Sequence, residues 1–250
     1  IFATGMHLNP LYGSTIREIE KCGVKNIFPY VNHTISSTMD QILAQTVGGF
    51  SDYIRLNRPD LIVIHGDRCE ALAGALVGAL NNIRVAHIEG GEVSGTIDDS
   101  IRHSISKLSH FHFVANSRAE KRLLQMGEKS DTIHVIGSPD TDIIVRDDLP
   151  TLQQAKKRYD IPYEDYSLLI YHPVTTEIDS AHEHAEQVVS AAVSSGDNFV
   201  VIYPNNDLGS EFILEQYRKL TKHPRFKIFP SIRFEYFLTL LKGAKYLLGN

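Results

Sequence analysis

Between His87 and His103 the sequence reads HIEGGEVSGTIDDSIRH, which puts four carboxylates, Glu89, Glu92, Asp98 and Asp99, within eleven residues. Gly90, Gly91 and Gly95 stand among them. A helix N-terminus favours one acid, not four. Mutual repulsion is expected to raise the pKa of at least one of them, and a carboxyl so tuned suits proton transfer. A further acid, Asp67, lies in IVIHGDR beside His65 and Arg68. Asp67 is open to two readings, a helix N-cap or an acid held over a ligand. Arg68 opposes the dipole of the helix it opens unless an anion is near. In LLIYHPVTTE, His172 stands just ahead of Thr175 and Thr176. Together these residues offer proton acceptors, proton donors and a cation for a nearby anion.

The elements that must position them are short β-branched runs alternating with helical patterns. DLIVIHG, IRVAHIEG, FHFVAN and TIHVIGS read as strands, as do SLLIYHP, NFVVIYPN, FKIFPS and KYLLGN. Between them apolar residues recur at three- and four-residue steps, as in RCEALAGALVGALNN and SRAEKRLLQMGEK, with Ser117 as N-cap and Gly127 as stop in the latter. This alternation predicts parallel strands with crossover helices, an α/β chain of two doubly wound Rossmann-like domains. Acids and prolines around residues 140–165 place the joint there, giving domains 1–150 and 151–250. Ligands of such sheets bind outside the carboxyl ends of the strands. Asp67, Glu89 and His172 all fall at such ends, and His172 is expected to look across an interdomain cleft at the two acids.

The chain has 250 residues, 42% hydrophobic and 22% charged, with a net charge of −5. That is soluble globular composition without a lysine/arginine block, so neither a nucleic-acid footprint nor a membrane span is expected. Two cysteines, Cys22 and Cys69, form no framework or metal spacing, and a reducing cytoplasm is the simplest setting. His110 with His112 and His182 with Glu186 invite a metal reading but lack a third ligand. The second pair reads as a solvated helix face, and the first as support for the sheet end.

HGDRCEALAGA, HIEGGEVSGTIDDSIRHSISKLSH, IGSPD, HPVTTE and YPNND together resemble the hydrolysing UDP-N-acetylglucosamine 2-epimerases, along nearly the whole chain. The non-hydrolysing relatives read roughly HVEAGLRT where this chain has its long acidic motif. The resemblance implies a GT-B-type arrangement of the two domains with an interdomain active site that takes a UDP-sugar. The implied reaction is loss of the C2 proton and of UDP to give 2-acetamidoglucal, then hydration to N-acetylmannosamine for sialic acid or capsule synthesis. Asp67, Glu89, Asp98 and His172 match the catalytic positions, and the resemblance does not say which acid takes which proton. Arg68 joins His172 at the diphosphate. His65, His87, Gly91, Ser94 and Thr175 are assigned to substrate contact or to orienting the acids, and Ser231 and Ile232 in FPSIRF to backbone contacts with uracil. Glu92 and Asp99 are read as supporting or capping residues.

No cofactor or metal is called for by elimination and hydration, and a homodimer or homotetramer is implied. The chain opens on IFATG and stops on YLLGN as if inside structure, without the family's TGTRAD-like loop or the two serines and ribose-binding acid beyond GN. It is therefore read as incomplete. The rival readings are the same chemistry on UDP-2,4-diacetamido-2,4,6-trideoxyglucose, a non-hydrolysing epimerase, a non-catalytic nucleotide-sugar binder, and a glycosyltransferase of the same fold.

Overall fold

The computed structural model describes residues 1–33 and 38–250. The chain forms two compact units, Ile1–Gly5 with Asn26–Asp142 and Met6–Lys25 with Ile143–Asn250. Strands run, in chain order, β1 (Phe2–Ala3), β2 (Phe28–Pro29), β3 (Leu61–His65), β4 (Arg84–Ile88) and β5 (Phe111–Val114). After them come β6 (Ile133–Val135), β7 (Ser167–Ile170), β8 (Phe199–Ile202), β9 (Phe226–Phe229) and β10 (Leu247–Gly249). The helices are α1 (Ile16–Lys21), α2 (Met39–Asn57), α3 (Cys69–Leu80), α4 (Ile97–Leu108) and α5 (Ser117–Gln125). They continue with α6 (Pro139–Ile144), α7 (Leu152–Arg158), α8 (Ala181–Ser195), α9 (Ser210–Leu220) and α10 (Phe234–Lys242).

In the first unit β3, β4, β5 and β6 form a parallel sheet in that order, and β1 and β2 a separate parallel pair. Helices α3, α4 and α5 are the crossovers that parallel neighbours require. Phe50 and Ile54 of α2 pack with Ile62, Val85 and, from α4, Ile101 and Ile105. Each such side chain contributes about 1.5–3 kcal/mol when fully removed from water. Burial of successive residues Val85, Ala86 and His87 shows β4 covered on both faces.

The second unit holds a parallel sheet in the order β10-β7-β8-β9. Its strands alternate between two cores. Leu169 and Val201 enter one with Ala185 of α8 and Ile213 and Tyr217 of α9. Leu168 and Val200 enter the other with Ala155 of α7, Tyr166 and Leu240 of α10. Parallel α/β organisation is thus as the alternation predicts.

The boundaries differ from the expected 1–150 and 151–250. The crossing falls inside α6, between Asp142 and Ile143, and the early segment Met6–Lys25 belongs to the second unit. That segment is tied there by a Tyr12–Ser210 hydroxyl contact of 3.3 Å and an Arg233–Glu18 ion pair of 2.8 Å. The cap of α5 also differs by one residue: Asn116, not Ser117, accepts from the N–H groups of Arg118 and Ala119. Among the described residues, no helix is long and apolar enough to cross a membrane.

Candidate active site

The register of β3 on β4 pairs His65 with Ile88, so both strands end level. Gly66 N–H donates to the Ile88 carbonyl at 3.0 Å, and Glu89 N–H to the Phe113 carbonyl at 2.8 Å. Asp67 and Glu89 therefore leave the sheet side by side. Glu89 sits at φ +62°, in the left-handed region that an L residue enters at a cost of about 1–3 kcal/mol.

Each acid has its own donors. The Arg102 guanidinium of α4 pairs with Asp67, both groups mostly buried. Glu89 accepts from Ser138 Oγ at 2.7 Å on one oxygen and from His65 Nε2 at 2.8 Å on the other. Since a carboxylate only accepts, the His65 proton is on Nε2. Asp98 accepts from the hydroxyl of Thr96, the N-cap of α4, at 2.9 Å. Asp99 closes the loop by accepting from the N–H groups of Ser94 and Gly95. Glu92 accepts from Asn116 Nδ2 at 2.7 Å.

With these donors, the repulsion expected among the four acids raises neither Glu89 nor Asp99. Burial pushes the Glu89 carboxyl up, but the hydrogen bonds from Ser138 and His65 outweigh it and hold the group below its ordinary value. The backbone amides of Ser94 and Gly95 lower Asp99. Asp67 is not an N-cap either: Arg68 occupies that position, and the Asp67 carboxylate goes to Arg102. Arg68 finds an anion within the chain, Glu70 Oε2 at 3.6 Å.

His87 is among the residues assigned to substrate contact or to orienting the acids. Its ring is completely buried beneath the loop. Nε2–H donates to the Gly66 carbonyl at 2.8 Å and Nδ1 accepts from Ser106 Oγ at 3.1 Å. Burial drives its pKa down to about 4, so the ring is a neutral strut joining the two acid-bearing turns to α4. Gly90 crosses directly over this pair, and an added Cβ would stand 2.8 Å from both His87 Nδ1 and Ser106 Oγ. Gly90→Ala is therefore expected to destabilise the first unit by about 1–3 kcal/mol. Urea unfolding checks this, and an unshifted midpoint would remove the strut from the account.

Gly91 is likewise buried, at φ +78°, with its carbonyl taken by the Arg122 guanidinium. It holds the loop against α5. Ser94 is exposed and spends its N–H and hydroxyl on Asp99. Of the strand-end histidines, His110 is exposed and accepts from Val85 N–H at 3.2 Å, while His112 is buried with Glu128 Oε2 at 3.3 Å.

In the second unit the His172 backbone is held by the Asn250 amide, which accepts from its N–H at 2.8 Å and donates to its carbonyl at 3.2 Å. The Asn205 N–H donates to Nδ1 at 3.2 Å, so a neutral His172 ring carries its proton on Nε2. Thr175 opens the short helical turn Thr175–Ser180 that leads into α8. Ser231 and Ile232 are half-buried after β9, ahead of Arg233, whose N–H donates to Tyr159 Oη at 3.0 Å.

The structure thus brings Asp67, Glu89 and His65 together at one sheet edge, with Asp98 at the start of the helix that supplies Arg102. The sequence reading missed Arg102, Ser106 and Ser138 as partners. Arg102 and Ser106 follow Asp98 at four-residue steps and so share its helix face, a signal available from spacing alone. Among the described residues, no group of three or more His, Cys, Asp or Glu is placed to hold a metal ion.

A model of the UDP-N-acetylglucosamine 2-epimerase family matches residues 1–250. The chain is 49% identical over 250 residues to the UDP-N-acetylglucosamine 2-epimerase of Neisseria meningitidis serogroup B, covering 100% of this chain and 66% of that protein. It is 37% identical over 254 residues to the UDP-N,N'-diacetylbacillosamine 2-epimerase (hydrolyzing) of Legionella pneumophila, covering 100% and 67%. The chain therefore spans about two thirds of the length of these curated relatives. Among solved structures, that of Methanocaldococcus jannaschii UDP-GlcNAc 2-epimerase in complex with UDP-GlcNAc and UDP superposes with a TM-score of 0.69. At 21% identity, over 99% of this chain and 77% of that one, this is a likeness of fold.

Proposed function

The chain belongs to the UDP-N-acetylglucosamine 2-epimerase family, and from that premise we propose that it converts UDP-N-acetylglucosamine and water to N-acetylmannosamine and UDP. The observation that carries this reading is the meeting of Asp67 and Glu89 at adjacent strand ends, each carboxylate held by its own donor. In the proposed reaction an acid takes the C2 proton as the C1–O bond to UDP breaks, giving 2-acetamidoglucal. Water then adds its hydroxyl at C1 and a proton is delivered to C2 from the opposite face. Asp67, Glu89 and Asp98 share these proton transfers. His172, through the proton on Nε2, and Arg68 stabilise the departing diphosphate. The backbone at Ser231 and Ile232 meets uracil, and Thr175 joins the substrate contacts.

The hydrolysing mode is supported by IEGGEVSGTIDD, which stands where non-hydrolysing relatives carry a shorter, less acidic motif. A second reading, the same chemistry on UDP-2,4-diacetamido-2,4,6-trideoxyglucose, rests on the Legionella enzyme, a more distant relative at 37% identity against 49% for the Neisseria one. A cytoplasmic homodimer or homotetramer completes the proposal, and light scattering on the purified protein tests the assembly.

The deciding experiment follows UDP-N-acetylglucosamine in heavy water by proton NMR. The expected products are free N-acetylmannosamine carrying deuterium at C2, and UDP. UDP-N-acetylmannosamine as the sole product would move the protein to the non-hydrolysing branch. An unchanged substrate, with turnover of the trideoxy sugar nucleotide, would establish the second reading.

A further inference from the structure

Ser138 lies in the IGSPD motif without a role assigned to it so far, yet it makes one of the two side-chain hydrogen bonds that hold Glu89. It reaches that carboxylate across 49 residues of sequence. The path is short in space. Ile136 N–H donates to the Val114 carbonyl at 2.9 Å, which pins the end of β6 to β5. Gly137 then turns the chain at φ +81°, and Ser138 arrives one residue before Pro139 opens α6. Its carbonyl accepts from Thr141 N–H at 3.0 Å, while its hydroxyl donates to Glu89 Oε1 at 2.7 Å.

We propose that Ser138 is a positioning residue for Glu89: with the His65 ring it grips the two carboxylate oxygens and presents Glu89 to the substrate as a fixed proton acceptor. This deepens the proposed function and rests on it. The Glu89 backbone is immobilised in a left-handed conformation by its bond to Phe113, so only the side-chain torsions are left to settle. Two donors from different elements, one per oxygen, settle them. A carboxylate offers about four lone-pair sites, so two donors leave it able to take a proton from carbon.

Of the charged and titratable groups around Glu89, His65 and Arg102 favour its anion, His87 is neutral, and the like-charged Asp67 at the neighbouring strand end is paired with Arg102. His65 comes from the end of β3 and donates to it. Arg102 comes from α4, is itself paired with Asp67, and acts at longer range. His87, two residues back on β4, is neutral and occupied by Gly66 and Ser106. Burial opposes the anion, and Ser138 is the larger of the two side-chain hydrogen bonds that overcome it.

The test uses the full-length protein and two variants, Ser138→Ala and Ser138→Thr, compared by the pH profile of kcat with UDP-N-acetylglucosamine. A hydrogen bond to a charged group is worth about tenfold or more. Ser138→Ala is thus expected to lower kcat about tenfold at neutral pH and below, moving the acidic limb upward and leaving KM within about twofold. Ser138→Thr keeps the hydroxyl and is expected to restore both rate and limb. An unmoved limb in Ser138→Ala, or equal damage in the two variants, overturns the proposal. If the wild type does not turn over this substrate, the functional reading fails separately. Carboxyl NMR titration, with Glu89 assigned through Glu89→Gln, then decides Ser138 alone: its removal must raise the Glu89 midpoint, and an unchanged midpoint rejects the assignment.

Discussion

Glu89→Gln is expected to lower kcat by about 10²–10⁴-fold, the range seen when a positioned acid–base group is removed. The substitution isolates chemistry from folding. Gln has the same length and the same left-handed backbone cost at φ +62° as Glu. Its amide oxygen still accepts from Ser138 or from His65, though not from both at full strength. Thermal unfolding should therefore shift by only a few degrees, and UDP should still bind. Deuterium uptake at C2 and release of UDP ought to fall together, because in the proposed reaction UDP leaves in the elimination and deuterium enters only on hydration of the glycal that elimination forms. A variant within about threefold of wild type in kcat would remove Glu89 from the proton-transfer set and leave Asp67 and Asp98 to carry it.

The second large effect is on stability against acid. In the folded chain His87 has its pKa depressed to about 4 from an ordinary 6.5, chiefly by burial. The unfolded chain consequently binds the proton more readily between those values. Stability is fully present above about pH 6.5 and is lost as the pH falls toward 4. The gap corresponds to about 3 kcal/mol, with no further loss from this group below pH 4. His112, lowered by burial in the same sheet, acts in the same direction. Urea unfolding at pH 7, 5.5 and 4.5 reads the slope, and His87→Gln should flatten it. Identical slopes in variant and wild type would mean that His87 is not the group that titrates.

Much of this architecture is legible in the sequence because parallel strands buried on both faces write themselves as unbroken apolar runs. SLLI and FVVI are unmistakable, and ligand placement at strand ends follows from the fold type. Asp67 and Glu89 can therefore be placed before any coordinates exist. Their partners cannot. Arg102 meets Asp67 across 35 residues and Ser138 meets Glu89 across 49, distances that only sheet register resolves. Proximity along the chain instead suggests that Glu89, Glu92, Asp98 and Asp99 repel one another, whereas each accepts from a separate donor. His87 misleads for a related reason: a strand-end histidine looks available until its neighbour Gly90 is seen to close over it. The unit boundary was hidden by Met6–Lys25, a segment of short helical turns whose Tyr12 finds its hydroxyl partner 198 residues away.

That same segment sets an order of events at the ribosome. Met6–Lys25 emerges long before Ser210 and Arg233, the residues that hold Tyr12 and Glu18. At a synthesis rate of 5–20 residues per second the delay is roughly 10–40 s. Residues 26–142 can complete their own sheet in that interval, while Tyr12, which ends with 5% exposure, waits in water. A nascent chain paused before Ser210 therefore holds one unit whose residues are all present, while Met6–Lys25 waits with residues 143–209 for the rest of the second.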